Sequence, residues 1–296
     1  MQRATKIENR KSKIENQPLP KLSLKEVTRR YRASSGEVLA LDRISIDVAE
    51  GEFLMLVGPS GCGKSTLLNI VAGLDRADSG QVLIDGVPVG GPGPDRGLVF
   101  QDGALFPWLT VVQNVEYGLA QTSMGRKERR EKARSFLETV GLSAFEHHAI
   151  HELSGGMRQR VALVRALVLE PKVLLMDEPF SALDALTRED LYIELQQLWH
   201  ERKTTVVFVT HNVREAVTLG DRVVLMAPRP GRVQQSFPVH ILRPRQIDDV
   251  DVARMGHEIS LVMKSARDGQ GGSDAGEDLE TARLLRMSDR SLGATS

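Results

Sequence analysis

The sequence has 296 residues, of which 41% are hydrophobic, enough apolar material for the core of one large domain or two small ones. Its 39 basic and 39 acidic residues cancel, which excludes the strongly positive surface of a sequence-independent nucleic-acid binder. The single cysteine, Cys62, cannot form an internal disulfide and suits a reducing compartment.

No stretch of the sequence approaches the ~20 consecutive apolar residues that a membrane-spanning helix needs. The first residues carry charges where a secretory signal would be apolar. We therefore expect a chain that is neither secreted nor integral to a membrane, although it could dock on a membrane protein.

Three regions differ in composition along the chain. Residues 1–20 are rich in Lys, Asn, Glu and Gln, and we expect them to form a disordered leader. Residues 21–237 alternate short apolar runs with helical patterns, which predicts a compact α/β domain. Residues 238–296 form a C-terminal extension with a weaker pattern, and we expect it to be partly disordered. Within it, 265–276 reads as a loose tail and 279–287 as a short helix.

The predicted strands are short runs dense in Val, Ile and Leu, as buried parallel strands tend to be. In chain order they cover residues 44–48, 53–57, 81–84, 97–100, 173–176, 205–209 and 222–226. Apolar residues at helical spacing predict helices over 126–140, 157–169 and 186–201.

A glycine-rich segment connects the strand at 53–57 to an apolar helical run. It reads GPSGCGKST and consists of Gly58, Pro59, Ser60, Gly61, Cys62, Gly63, Lys64, Ser65 and Thr66. In this context the spacing predicts a loop whose backbone N–H groups surround the phosphates of a nucleotide. Lys64 would neutralise the β- and γ-phosphates, and the Ser65 hydroxyl would bind Mg²⁺. Kinases, GTPases, helicases and transport ATPases share such a loop, so it does not choose among them.

Two adjacent carboxylates, Asp177 and Glu178, follow the apolar run at 173–176. In phosphoryl transfer one carboxylate can hold the Mg²⁺ shell while the next orients or deprotonates the attacking water. We predict the first role for Asp177 and the second for Glu178. The alternative is a solvated acid pair at a strand end, which the phosphate loop in the same chain disfavours.

The segment LSGGM at residues 153–157 is followed by a helical pattern and then by LLMDEP. This order resembles the signature of the ATP-binding cassette (ABC) family, and the resemblance covers about residues 22–232. It implies an α/β fold of the P-loop NTPase class with an ABC-type nucleotide-binding domain. Such a domain has a mainly parallel core sheet, an antiparallel β subdomain and a helical subdomain, here at about 102–165. The cofactors implied are ATP and Mg²⁺.

The resemblance also implies roles for three separate residues. Tyr31 would stack on adenine, although a lone tyrosine is more often a core aromatic. Gln101 would bridge Mg²⁺ and the attacking water, although an exposed strand-end amide is the ordinary alternative. His211 would contact the γ-phosphate, although it could be a satisfied strand-end histidine. We assign Gln101 and His211, together with Glu178, to catalysis.

Ser154, Gly155 and Gly156 resemble a second anion-binding turn at a helix start. In the family this turn binds the γ-phosphate of an ATP held on another chain's phosphate loop, and Asp184 lies at the seam. One chain then carries two half-sites, which implies a head-to-tail partner, either a second copy or a homologous ATP-binding subunit. The sequence departs from the family at Met157, where Gln is usual, and this leaves the role of that side chain open.

The segment at 102–111 contains Leu105, Phe106 and Trp108, which could dock a partner or pack internally. In importers of the family it receives membrane-spanning permease subunits. Residues 91–119, 177–188 and 227–233 resemble the branch that imports nitrate, sulfonates or taurine. The resemblance thus implies a peripheral ATPase at the cytoplasmic face of the cell membrane, linked indirectly to a substrate-binding protein. An efflux or lipid-release ATPase and a soluble, non-transport cassette remain alternatives.

Overall fold

The computed structural model describes residues 19–33 and 36–268. Ten strands in these residues form two sheets. The smaller sheet is antiparallel and has the strand order β2-β1-β4-β5. Its strands are β1 (Leu22–Ala33), β2 (Gly36–Val48), β4 (Ser79–Ile84) and β5 (Val87–Pro88).

The larger sheet has the strand order β10-β9-β3-β8-β7-β6. Five of its strands pair in parallel, and β10 runs antiparallel to β9 at one edge. The strands are β3 (Phe53–Val57), β6 (Arg96–Val99), β7 (Val173–Asp177), β8 (Thr205–Thr210), β9 (Arg222–Ala227) and β10 (Arg232–Pro238). The predicted α/β class with a mainly parallel core sheet is confirmed.

The α-helices of the described residues fall into two groups. Three of them lie between β6 and β7 and pack on one another as a helical subdomain. They are α2 (Val111–Glu116), α3 (Arg126–Thr139) and α4 (Gly155–Leu167). The others flank the sheet or follow it: α1 (Lys64–Ala72), α5 (Ala185–Arg202), α6 (Val213–Leu219) and α7 (Val250–Asp268). None of these helices is long and apolar enough to cross a membrane.

The larger sheet separates two hydrophobic cores, because side chains alternate between its faces. On β3, Phe53, Met55 and Val57 belong to a core shared with the helical subdomain. Leu54 and Leu56 belong to a second core, shared with α1 and the antiparallel sheet. All five are fully buried, and each contributes about 1.5–3 kcal/mol of hydrophobic stabilisation.

Each strand and helix predicted from periodicity has a counterpart within a few residues, except that β2 begins well before the predicted strand at 44–48. The strands β1, β5 and β10 and the helices α2, α6 and α7 were not predicted. The helix α7 extends to Asp268, so the predicted loose tail at 265–276 is wrong for its first four residues. Residues 1–18 and the predicted helix at 279–287 lie outside the described residues. The division into a domain at 21–237 and an extension stays a prediction.

A buried arginine ties the segment after β10 to the rest of the fold. The Arg245 guanidinium donates from Nη1 to the carbonyls of Val217 and Gly220 at 2.7 and 2.6 Å, at the carboxyl end of α6. The Gln196 side chain of α5 forms two hydrogen bonds with the Arg245 backbone, accepting from its N–H and donating to its carbonyl. Burial lowers the pKa of Arg245 to about 10, so the side chain keeps its charge at neutral pH. A cation in this position also complements the helix dipole of α6.

Replacing Arg245 by Ala should lower the free energy of unfolding by about 2–4 kcal/mol, because it leaves buried carbonyls unpaired and opens a cavity. Urea unfolding followed by circular dichroism measures this value. Arg254→Ala is the matched control, because that arginine is exposed on α7 and should change stability by less than about 0.5 kcal/mol. Equal effects of the two variants would show that Arg245 does not anchor the segment.

Candidate functional site

The predicted site residues follow four neighbouring parallel strands at one edge of the larger sheet. Gly58 follows β3, His211 follows β8, Glu178 follows β7, and Gln101 lies just beyond β6. Carboxyl ends of parallel strands meet at the same sheet edge, where ligands bind in open α/β sheets. The register fixes the arrangement through the pairs Val57↔Thr210, Asp177↔Val209 and Val99↔Met176.

The glycines of the phosphate loop are required by close contacts. Gly63 has φ +88°, and a Cβ there would lie 2.5 Å from Leu41 Cδ2. A Cβ at Gly58 would lie 2.7 Å from Cys62 Sγ and 2.8 Å from the Met226 carbonyl oxygen. Larger residues cannot occupy either position without moving the neighbouring backbone. The loop is therefore held in one narrow curve between β3 and α1.

Lys64 is buried and folds back over this loop. Its ammonium donates to the carbonyls of Gly58 at 2.8 Å and Pro59 at 3.1 Å, with Cys62 Sγ at 3.8 Å. An ammonium has three donors, so these contacts fix the charge at the centre of the loop. Burial raises the pKa of the Cys62 thiol, and its side chain is completely buried. The side chain therefore faces the protein, and only the backbone of Cys62 lines the loop.

The tip of the loop is open to solvent. Ser60 and Gly61 are exposed, while Thr66 is buried in the first turn of α1. The turn after β9 lies against the outer side of the loop. A Cβ at Gly61 would lie 3.9 Å from Arg229 Nη2, and one at Gly231 would lie 2.3 Å from the Cys62 carbonyl oxygen. An exposed guanidinium therefore stands beside the tip, a feature that sequence reasoning missed.

Two hard oxygen groups meet at the start of α1. The Ser65 hydroxyl donates to Asp177 Oδ1 at 3.2 Å, across the gap between β3 and β7. A hydroxyl and a carboxylate at this distance fit Mg²⁺, which prefers oxygen ligands in octahedral geometry. Gln101 is exposed in the turn after β6, the strand next to β7.

Glu178 and His211 form a hydrogen-bonded pair. His211 Nδ1 lies 2.8 Å from Glu178 Oε2. Glu178 has φ +43°, in the left-handed region that a residue with a side chain rarely adopts. Residues in such strained conformations cluster at active sites, although this chain also has them in ordinary turns such as Asp85 and Lys203. The strained turn directs the carboxylate toward the residue that follows β8, beside the phosphate loop.

Tyr31 lies on the antiparallel sheet and is half-buried. Its hydroxyl donates to Asp75 Oδ2 at 2.7 Å, and the Arg29 guanidinium lies 4.7 Å from the ring centroid. These contacts fix the ring at the surface of the sheet rather than in the core. Its stacking on adenine stays a prediction.

The turn Ser154–Gly156 begins α4 in the helical subdomain. Ser154 caps the helix by accepting from the Met157 N–H at 3.3 Å. A Cβ at Gly156 would lie 2.5 Å from Thr187 Cγ2, so the turn packs on the start of α5. Asp184 caps that helix, accepting from the Thr187 N–H at 3.0 Å. Among the described residues, no hydrogen bond joins this turn to the phosphate loop.

Sequence reasoning also missed Asn114, which is completely buried. Its side chain accepts from the Phe106 N–H at 2.8 Å and donates to the carbonyls of Phe106, Leu109 and Thr110. This one amide shapes the segment that presents Trp108, whose side chain is 75% exposed. The sequence signal for an ordered helix start in this segment was the capping box that Thr110 forms with the glutamine three residues later.

Residues 41–181 match the family model described as ABC transporter. A putative ATP-binding protein of Brucella abortus is 52% identical over 226 residues, covering 76% of this chain and 85% of that protein. The taurine import ATP-binding protein of Burkholderia pseudomallei is 49% identical over 215 residues, covering 73% of this chain and 83% of that protein.

Among solved structures, the dimeric ATP-binding cassette MJ0796 in a post-hydrolysis state, bound to ADP and Pi, superposes with a TM-score of 0.66. It is 36% identical, and the match covers 75% of this chain and all of that one. The described fold, the phosphate loop and these similarities agree. The chain belongs to the ABC transporter family, as an ATP-binding subunit that couples ATP hydrolysis to transport.

Proposed function

We propose that this chain is the ATP-hydrolysing subunit of an importer that takes up a small anion such as taurine, another sulfonate or nitrate. The proposal that this chain hydrolyses ATP rests on two pairs of side chains at the mouth of the phosphate loop. Glu178 contacts His211, and beside them Ser65 contacts Asp177. The import direction and the class of cargo are supported by the taurine import relatives.

In the proposed mechanism, the loop from Gly58 to Thr66 binds the phosphates of ATP and Lys64 neutralises them. Ser65 and Asp177, with Gln101, would hold Mg²⁺, which supplies charge neutralisation at the phosphates. Glu178 orients or deprotonates the attacking water, and its hydrogen bond to His211 fixes the carboxylate.

The second wall of the site comes from a partner subunit in this proposal. The Ser154–Gly156 turn is separate from the chain's own phosphate loop, yet it offers free N–H groups at a helix start. A head-to-tail arrangement of two subunits would place each turn on the other's loop, with Asp184 at the seam. The similar cassette of known structure is dimeric, which supports this arrangement.

The segment held by Asn114 is the proposed docking surface for membrane-spanning permease subunits. Trp108 is largely exposed, and Phe106 packs beneath it with ring centroids 5.5 Å apart. The Arg165 guanidinium lies 5.3 Å from the Phe106 ring and donates to the carbonyls of Gly103 and Ala104. A rigidly supported exposed aromatic is typical of an interface anchor. The subunit would then lie at the cytoplasmic face of the membrane, with a substrate-binding protein acting through the permease.

Replacing Glu178 by Gln should lower phosphate release by about 100-fold or more while ATP still binds, because the general base is lost and the loop is unchanged. The variant should also accumulate as an ATP-bound dimer, which light scattering after gel filtration measures. Glu189→Gln is the control, since Glu189 is exposed on α5 away from the pair. A Glu178→Gln variant that stays monomeric and hydrolyses ATP normally would refute the role of Glu178.

Replacing Trp108 by Ala should weaken binding to the permease subunits by about tenfold or more, because buried aromatic anchors dominate interface energies. Co-purification from membranes at graded concentrations measures the affinity. Leu242→Ala removes a comparably exposed apolar side chain elsewhere and should have no effect. Equal recovery of permease with both variants would place the docking surface elsewhere.

The cargo is tested with the complex of this chain and its permease subunits in lipid vesicles. The ATPase rate should rise when the substrate-binding protein is added with taurine, an alkanesulfonate or nitrate, and one of these should accumulate inside vesicles of suitable orientation. Export of a lipid or hydrophobic compound, without stimulation by any of the anions, would contradict the importer assignment.

A further inference from the structure

A carboxyl group is buried directly behind the residue that contacts Glu178. Glu215 lies in the first turn of α6 and is 5% exposed. Burying a carboxyl group costs free energy unless hydrogen bonds compensate it, and the proposed function assigns no role to Glu215. The surrounding contacts connect it to the turn at His211.

The residues on both sides of His211 are anchored through Glu215. The Thr210 hydroxyl donates to Glu215 Oε2 and accepts from the Asn212 N–H at 3.0 Å. The Asn212 side chain in turn accepts from the Glu215 N–H at 3.3 Å, capping α6. The Glu215 carboxyl, the Thr210 hydroxyl and the Asn212 side chain thus hold the backbone on both sides of His211. The His211 side chain takes no part in these hydrogen bonds and contacts Glu178 instead.

The His211 side chain itself has little packing to hold it. It is 61% exposed, and it borders a cavity of about 90 Å³ that also reaches Glu178, Ser181 and Glu215. A side chain beside open space keeps its rotamer freedom unless its backbone and hydrogen bonds restrict it. The position of the imidazole against Glu178 therefore depends on the backbone of the turn.

Glu215 is enclosed by side chains that act on its pKa in opposite directions. Burial raises its pKa, while the Thr210 hydroxyl, Tyr192, Arg188 and His211 act in the opposite direction. Burial also raises the pKa of Tyr192 well above its ordinary value, so the phenol stays protonated. A carboxyl group and a carboxamide both offer an acceptor oxygen to the Thr210 hydroxyl, a property that makes a conservative test possible.

We propose that Glu215 is a positioning residue for ATP hydrolysis, which holds the Thr210–Asn212 turn and thereby sets His211 against Glu178. This inference rests on the proposed roles of Glu178 and His211. It concerns the rate of hydrolysis and not the affinity for ATP, because within the described part of the chain the hydrogen bonds of Glu215 go to Thr210 and Asn212 and none goes to the phosphate loop.

The test compares Glu215→Leu with Glu215→Gln, and Thr210→Val with Thr210→Ser, in the full chain. Glu215→Leu removes the acceptor and Thr210→Val removes the hydroxyl. Each should lower kcat about 10- to 100-fold, with KM for ATP changed less than about threefold. The conservative Gln and Ser variants should restore kcat to within about twofold of the wild type, because each keeps the hydrogen bond. Thermal unfolding of every variant shows whether the fold is retained.

A second comparison separates positioning from general stability. In a His211→Ala background, Glu215→Leu should lower kcat no further, because the effects of substitutions that act through one group are not additive. A further tenfold loss in that background would overturn the proposal. Wild-type kcat in Glu215→Leu, or an equal loss in the Gln and Leu variants, would overturn it as well. If Glu215→Leu does not fold, the comparison of Thr210→Val with Thr210→Ser tests the proposal by the same criteria.

The Glu178→Gln variant distinguishes failure of the inference from failure of the proposed function. If Glu178→Gln abolishes hydrolysis while the Glu215 and Thr210 variants remain fully active, only the inference is wrong. If Glu178→Gln hydrolyses ATP normally, the site assignment fails and the inference falls with it.

Discussion

The parallel pairing of β3, β8, β7 and β6 is the constraint on which the whole site depends. Because these strands run in one direction, the segments that follow them leave the sheet at the same edge. Residues far apart in sequence, such as Lys64, Glu178 and His211, are thereby brought beside one another. The two cores on either side of the sheet fix that register, since a slip by one residue would exchange their side chains.

The sequence predicted the sheet well because its parallel strands are short, continuous apolar runs. The missed strand β1 shows where such reasoning fails. Leu22 and Leu24 alternate correctly, but an irregularity at Glu26, with φ +50°, shifts the next inward residue to Val27. The bulge breaks the period of two on which a strand prediction relies. The missed helix α7 is different, because Val252, Met255 and Ile259 have helical spacing and were available as a signal.

Within the proposed site, sequence reasoning named the residues predicted to act on ATP but not the buried residues that hold their surroundings in place. Motif residues such as Lys64 carry their chemistry in their own side chains and spacing. Asn114 and Glu215 act only through neighbours that the folded chain supplies, namely the carbonyls of a loop and the hydroxyl of Thr210. The capping box at Thr110 points to the segment around Asn114, but nothing local to Glu215 indicates its hydrogen bond to Thr210. Their roles become visible only when the buried hydrogen bonds are traced.

The proposed ATP site has one rigid part, the phosphate loop, and one part that a single chain leaves incomplete. The phosphate loop is fixed by close contacts at Gly58 and Gly63 within this chain. The Ser154–Gly156 turn belongs to the helical subdomain, and among the described residues no hydrogen bond joins it to that loop. An ATP site completed by a second subunit would make hydrolysis conditional on association. Binding energy can then close two subunits before the phosphate bond breaks, which is the order of events that mechanical work on a membrane partner requires.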